Sequence, residues 1–381
     1  MRGQSGQRAQ VFPAWVSADG PASDVALSTR ARLARNVQGI PFPDRAREAD
    51  LRRVSDLVLD AVHDSNGLPH HGGRIGKLRV IRPTHLSASA DRLALVDARL
   101  ASRQQVCGGR YQPIVLNDAG TLSLMVNEED HLRMQCILPG LQPMTALQMG
   151  RELDAFLARK IAYARTDNYG YLTSSLSNVG TGLRLSVMLH LAGLAFLEEA
   201  VPVLTAAAEL RVSVRGLFGE GTKALGDIFQ VSNETTIGFS EKEITSRVRA
   251  AAEHLISRER EARRKLALER RGELSVVVEQ ARARLMEARA LSGREAMTCI
   301  SVLRLGAELS PACGLSSEAF KELLASMRLG VSASGGCAES MADDVKRARL
   351  VREKLIENSR GAQLTLPEGA EQEPSWGRHT R

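Results

Sequence analysis

Aromatic side chains are scarce in this sequence: four tyrosines, eight phenylalanines and two tryptophans among 381 residues. They do not alternate with basic residues, so the stacking platforms of a nucleic-acid binder are missing despite a formal net charge of +7. Cysteine is sparse too. Cys107, Cys136, Cys299, Cys313 and Cys337 are scattered, odd in number and form no C-x-x-C pair. That argues against a disulfide framework and a zinc cluster, and for a reducing compartment. No charged-then-apolar leader opens the chain at MRGQSGQRAQ. The most apolar run, LRLSVMLHLAGLAFL (183–197), is short and broken by Arg184 and His190. A cytoplasmic protein without membrane or nucleic-acid partners is expected. The pattern G-x-x-x-x-G-K-[ST] occurs nowhere, which excludes a P-loop.

What is present is arginine. Its planar fork suits bidentate contact with phosphate or carboxylate, so an anionic small molecule is as good a partner for the excess charge as DNA.

Residues 1–23 read as a flexible lead-in. From 24 to 245, short apolar runs such as LRVI (78–81), PIVL (113–116), TLSLMV (121–126) and LRVSV (210–214) suggest strands. Between them lie helical patterns, EADLRRVSDLVLDAVHDS (48–65) and QMGRELDAFLARKIAYA (148–164). The texture changes at SEKEI, where Ser240 and Glu243 have capping-box spacing. From 246 to about 360 the sequence reads as an all-α domain, and 361–381 as a disordered tail.

Four segments of the first domain could carry chemistry. STRARLARN (28–36), read as a strand, places Arg30 and Arg32 side by side on one face; taken alone, the pair reads more simply as a solvated basic edge. NEEDHLR (127–133) inserts Glu128, Glu129 and Asp130 between apolar runs. If the backbone stays extended there, Glu129, His131 and Arg133 share a face; an exposed acidic hairpin tip is the competing account. SSLSNVGTGLRLSVM (174–188) runs a small-residue loop into Arg184, a form that lets backbone N–H groups approach an anion or simply makes a loop. RGLFGEG (215–221) sets Arg215 before a glycine-rich turn carrying Glu220, or else forms a solvated hairpin. Together they offer arginines for an anion and carboxylates for a cation. That is the charge plan of an enzyme joining a polyphosphate to a positively charged acceptor, where positioning and charge neutralisation carry the catalysis.

In order and wording, STRARLARN, VNEEDHLRMQ, NVGTGLRLSVMLHL, RGLFGEG and FQVSNETTIGFSEKEI resemble the phosphagen (guanidino) kinase family, and most closely its bacterial protein-arginine-kinase branch, McsB. The likeness runs over about 24–245. It implies an α+β fold, an antiparallel sheet flanked by helices and followed by a helical domain, with ATP and Mg²⁺ as donor and cofactor and a guanidinium nitrogen as acceptor.

Carried over by motif, the nucleotide contacts implied are Ser28, Thr29, Arg30, Arg32, His85 (in RPTHLSAS), Arg133, Arg184 with Leu185, Ser186, Val187 and Met188, and Arg215 with Gly216 and Gly219. Glu129 would hold the acceptor and take its proton, Glu220 would be the second acceptor carboxylate, and Glu128 would serve Mg²⁺ through water, with no metal ligated directly. Relatives acting on free metabolites carry a helical domain ahead of this STRxR motif. Here Ser28 lies near the start, which implies an open acceptor side suited to arginine in proteins. The branch further implies a homodimer, a McsA-like activator and a Clp ATPase/protease reading the mark.

Two positions depart from the family pattern. Ser175 stands where a cysteine is usual in the acceptor pocket, and a hydroxyl cannot supply a thiolate at neutral pH. The counterpart of the phosphoarginine-binding R-D-x-x-R-A is DDVKRA: Asp344, Arg347 and Ala348 match, while Asp343 replaces an arginine.

Overall fold

The structure, a computed structural model, describes residues 13–66, 74–86, 89–216, 224–308, 314–326 and 341–364. Ten strands occur among them. Eight form one antiparallel sheet: β1 (Ala26–Arg35), β2 (Leu78–Ile81), β3 (Ile114–Asn117), β4 (Leu122–Val126), β5 (Leu132–Pro139), β8 (Leu183–His190), β9 (Val212–Gly216) and β10 (Ile228–Asn233). β6 (Arg165–Thr166) and β7 (Gly170–Tyr171) pair separately. The large sheet has the order β2-β3-β4-β5-β1-β8-β10-β9, which makes β1 central.

Period-two alternation gives the sheet two unlike faces. Ala31 and Leu33 of β1, Met134 and Cys136 of β5, and Leu185 and Val187 of β8 point to one side, where they are buried. That side is covered by α2 (Glu48–Asn66), α5 (Pro143–Ala158), α7 (Ala200–Ala208) and the first two-thirds of α8 (Glu241–Glu269). The opposite face is covered only at its margins. Over β3 and β4 lie α3 (Ser89–Asp97), α4 (Arg103–Val106) and Leu100, packed on Ile114, Leu116 and Met125. Over the strand ends at Ile137, Met188 and Ile228 lies a helical cluster. It comprises α1 (Ala14–Ser17), α9 (Arg271–Glu287), α10 (Gly293–Gly306), α11 (Ser317–Ser326) and α12 (Met341–Leu364), joined to the sheet by α6 (Ala192–Phe196) and the end of α8.

The helix 48–65 expected from periodicity is α2, and the strands agree within two residues. The second expected helix, 148–164, instead starts at Pro143 and ends at Ala158. Ile161 and Tyr163 are pulled out of the helix into the core, where Tyr163 bridges Val37. The lead-in is not uniformly flexible: α1 inserts Trp15 and Val16, 1% and 0% exposed, into the helical cluster. Burial of an indole at this site outweighs the polar character of its surroundings. Residues 1–12 and 365–381 lie outside the described residues. The capping box at Ser240 is made in full, Glu243 N–H to Ser240 Oγ and Ser240 N–H to Glu243 Oε2. The helix it starts straddles the expected boundary at 245: Ile244 to Ala262 pack on the sheet, Leu266 on the helical cluster.

Candidate active site

The uncovered middle of the second sheet face is lined with arginines. In β1 only Arg30 and Arg32 break the run of buried residues. Arg32 lies directly opposite Arg184 of β8 on one side and Gln135 of β5 on the other. Arg133 is two pairs further along β5, opposite Ala34, and Arg215 of β9 faces Gln230 of β10 on the same side of the sheet. The five arginines come from four strands, brought to one face by strand parity alone.

Their electrostatics are those of a site awaiting an anion. Burial and the neighbouring Arg32, Arg99 and Arg133 push the Arg30 guanidinium well below its ordinary range. Burial, then Arg133 and Arg184, pushes Arg32 down to about 9. Arg184 is lowered by burial and by Arg215 and Arg133. Arg32 Nε is buried with no hydrogen-bond partner among the described residues. A guanidinium held this way is costly unless a negative charge joins it. Gln135 fixes Arg30 through its amide oxygen, 2.9 Å from Nε, while its amide nitrogen donates to Arg99 O and Ser123 Oγ. Gln135 and Arg99 were not foreseen from the sequence. Gln135 shares the parity of Arg133, a usable signal. Arg99, lowered to about 10 by burial, sits at φ 59 after α3, where no motif marks it.

The acidic turn borders this face. Arg133 pairs with buried Glu128 and lies 3.4 Å from exposed Glu129. Burial raises the Glu128 carboxyl, but Arg133 and hydrogen bonds from Glu129 N–H, Ser102 and Arg133 outweigh it and hold it below the usual carboxylate range. The backbone does not stay extended through NEEDH. Asn127 adopts φ 54, and β5 begins only at Leu132. His131 therefore leaves the face of Glu129 and Arg133: it is fully buried, its Nδ1 accepting from Val37 N–H at 3.0 Å. Asp130 is structural, accepting from Asn36 Nδ2 and Ser174 N–H, both at 2.7 Å. Ser174 Oγ in turn donates to Glu129 O at 2.7 Å, so the segment carrying Ser175 is tied to the acidic turn. The Ser175 hydroxyl meets that of Ser177 at 2.9 Å.

Other expected contacts fall elsewhere. Thr29, Leu185 and Val187 point to the core face, one residue out of phase with the arginines; Thr29 Oγ1 donates to Gly140 O at 2.6 Å. Ser28, Ser186 and Met188 have the right parity. His85 is exposed at the sheet's far edge, in a depression with Arg52, Ser55, Arg82, Arg110 and Tyr111 that none of the five arginines borders. Gly180 and Gly182 are needed for packing: a Cβ on Gly180 would lie 2.8 Å from Thr236 O, and one on Gly182 2.6 Å from Ala34 O. Gly216 ends β9 beside Arg215, while Gly219 and Glu220 lie outside the described residues. In the helical cluster Arg347 is buried and already engaged, donating to Leu291 O and Asp344 Oδ1 at 2.7 Å each, with Ala348 in the core.

Comparison with known proteins identifies the ensemble. Residues 76–262 match the ATP:guanido phosphotransferase C-terminal catalytic domain, and residues 271–365 match the protein-arginine kinase McsB C-terminal domain. The protein-arginine kinase of Moorella thermoacetica is 40% identical over 344 residues, covering 90% of this chain and 97% of that protein. The chain belongs to the protein-arginine kinase family. The Bacillus cereus protein-arginine kinase is 36% identical over 90% of this chain and 95% of its own length. Among solved structures, lombricine kinase superposes with TM-score 0.53 at 23% identity over 67% of this chain and 72% of that chain. The duplicated taurocyamine kinase of Schistosoma mansoni superposes with TM-score 0.53 at 24% identity over 67% of this chain and 37% of that one. These two show a shared fold. No helix among the described residues is long and apolar enough to cross a membrane.

Proposed function

We propose that the protein transfers the γ-phosphoryl group of ATP to arginine side chains of other proteins. The observation that carries this reading is the unneutralised arginine face set against Glu128 and Glu129. Arg30, Arg32, Arg133, Arg184 and Arg215 hold the triphosphate and spread the charge that develops in transfer. Serving both sides, Arg133 reaches the carboxylates with one nitrogen and leaves the rest of its fork to the phosphates.

The acceptor guanidinium is cationic and a poor nucleophile, with a pKa above about 12. Glu129 orients one of its nitrogens and takes its proton as the N–P bond forms and the bond from the γ-phosphorus to the bridging oxygen breaks, releasing ADP. Glu220 is the second acceptor carboxylate in this reading. No group of three or more His, Cys, Asp or Glu among the described residues is arranged to hold a metal ion. In this reading Mg²⁺ would enter with the nucleotide, Glu128 would hold it through water, and the ion would supply charge neutralisation at the phosphates.

The resemblance extends the reading to a cytoplasmic homodimer. In it 24–245 is the catalytic part and 246–360 the regulatory part, a McsA-like activator acts on it, and its mark directs substrates to a Clp-type protease. Incubation with labelled ATP, a protein substrate and free arginine tests the central claim. Acid-labile label on protein supports it. Label on free arginine alone makes the chain a metabolite kinase, and none makes it an adaptor without catalysis, the reading that Ser175 would favour.

A further inference from the structure

A groove of about 520 Å³ opens beside the acidic turn, bordered by none of the five arginines. Glu128 and Glu129 line it together with Glu48, the first residue of α2, and Asp44, four residues before it. Tyr111 lines it as well. Among the described residues Asp44 has only the distant Arg45, at 4.0 Å, as an ion-pair partner, and Glu48 forms no ion pair. The one cation lining it among the described residues, Arg110, stands 5.8 Å from the Tyr111 ring.

A second observation is independent of these charges. Asn127 lines the groove and is 1% exposed. Its amide nitrogen is used twice, donating to Leu51 O and Tyr111 O at 2.8 Å each, which fixes the side chain. Its amide oxygen has no donor among the described residues. A buried carbonyl oxygen left open costs folding free energy unless an N–H donor from outside fills it. Acidic walls, an aromatic face and an open acceptor describe the recognition of an organic cation such as ammonium or guanidinium. Among the described residues the carboxylates are not gathered into a metal ligand set.

We propose that this groove is a specificity subsite for a second basic side chain, Lys or Arg, lying within a few residues of the acceptor arginine in the substrate protein. The proposal rests on the protein-arginine kinase reading, because it is the shared wall at Glu128 and Glu129 that places the groove beside the acceptor. The preferred substrates are then segments with paired basic residues. Asp44 and Glu48 act on selection and take no part in transfer.

Equilibrium binding of three fluorescent peptides to the full chain tests this, using anisotropy as the readout. The first carries one arginine in a Gly/Ser background, the second adds a lysine two to four residues away, and the third has glutamate in place of that lysine. The lysine peptide should bind about fivefold more tightly than the single-arginine peptide. The double variant D44N/E48Q, altered at exposed positions, should lose that preference and bind the single-arginine peptide as before. Equal binding of the first two peptides by the native chain overturns the proposal, as does a preference that survives in D44N/E48Q. Phosphoryl transfer from ATP to the same peptides is followed in parallel. A binding preference without transfer sinks the kinase reading and leaves the groove standing, whereas transfer without preference does the reverse.

Discussion

Two sets of arginines in this molecule have opposite surroundings. On the open sheet face, Arg30 and Arg32 have other arginines as their nearest charges, with Glu128 and Glu129 alone nearby to oppose them, and burial and mutual repulsion push both guanidiniums down. At the junction between the sheet and the helical cluster, Arg263 is 3% exposed yet fully engaged. It meets buried Glu259 at 2.6 Å, Glu308 at 3.0 Å, and the carbonyls of Asp24 and His190 at 2.9 and 3.2 Å. Glu259 also accepts from Gly193 and Leu194 N–H, which seats the start of α6 on α8. The contrast separates two uses of one residue type. A satisfied buried arginine joins elements, whereas a cluster of unsatisfied ones stores a demand for anions that only a ligand meets.

Mutations should split along that line. The largest effect is expected from Glu129→Gln beside the open cluster: phosphoarginine formation should fall by roughly three orders of magnitude while nucleotide affinity is retained. Single-turnover transfer and nucleotide titration check both halves, and an active variant would remove Glu129 from its assigned role. At the junction, Arg263→Met leaves Glu259 buried without its cation and should lower stability by about 3–5 kcal/mol in urea unfolding. Loss of activity without loss of stability there would erase the distinction.

Arg184→Ala should weaken ATP binding about a hundredfold and leave the melting temperature of the nucleotide-free protein unchanged or higher, since it relieves repulsion from Arg133 and Arg215. Calorimetric titration and thermal melts read the two quantities. A fall in stability matching that of Arg263→Met would place Arg184 among the structural arginines.

The smallest effect concerns pH. His131 is held neutral by burial, its folded pKa lowered to about 4 from 6.5. Between those values the unfolded chain carries more protons, so stability rises with pH across the window and falls as the solution is acidified from about 6.5 towards 4. The loss between pH 6.5 and 4 should be about 2.5 kcal/mol, because burial disfavours the charged imidazole and protonation of Nδ1 ends its bond from Val37 N–H. His131→Gln should be less stable at neutral pH and show a flatter pH dependence across that window in urea melts. An unchanged slope would mean that His131 is not the titrating group.

Much of the site is legible in the residues. Arg30 and Arg32, two apart in a strand, must share a face, and the same parity carries Arg133 and Arg184. It also excludes Thr29, Leu185 and Val187 as side-chain contacts, although their motif neighbours qualify. Alternation fails where the backbone leaves the extended region. At Asn127, φ 54 and the hydrogen bonds around Asp130 turn NEEDH back on itself, so His131 and Glu129 part company. The helix at 148–164 was misplaced for a related reason: its apolar period runs on past Ala158, but Ile161 and Tyr163 are claimed by the core through a bridge to a segment far away in sequence. Likewise, nothing local to MRGQSGQRAQVFPAW shows that Trp15 has a pocket among helices nearly three hundred residues later.

By itself the sequence determined the kinds of element, the composition of the arginine set and the presence of carboxylates next to it, because these follow from local periodicity and side-chain chemistry. The tertiary structure decided which of the many arginines stay unpaired. Arg35, three residues from Arg32, turns to the core face and is neutralised by Asp154 at 2.7 Å and stacked on Tyr171 at 3.6 Å. Charge on a side chain is a property of the residue. Whether that charge is compensated depends on neighbours brought in by strand pairing and helix packing, and that compensation separates a site from a strut.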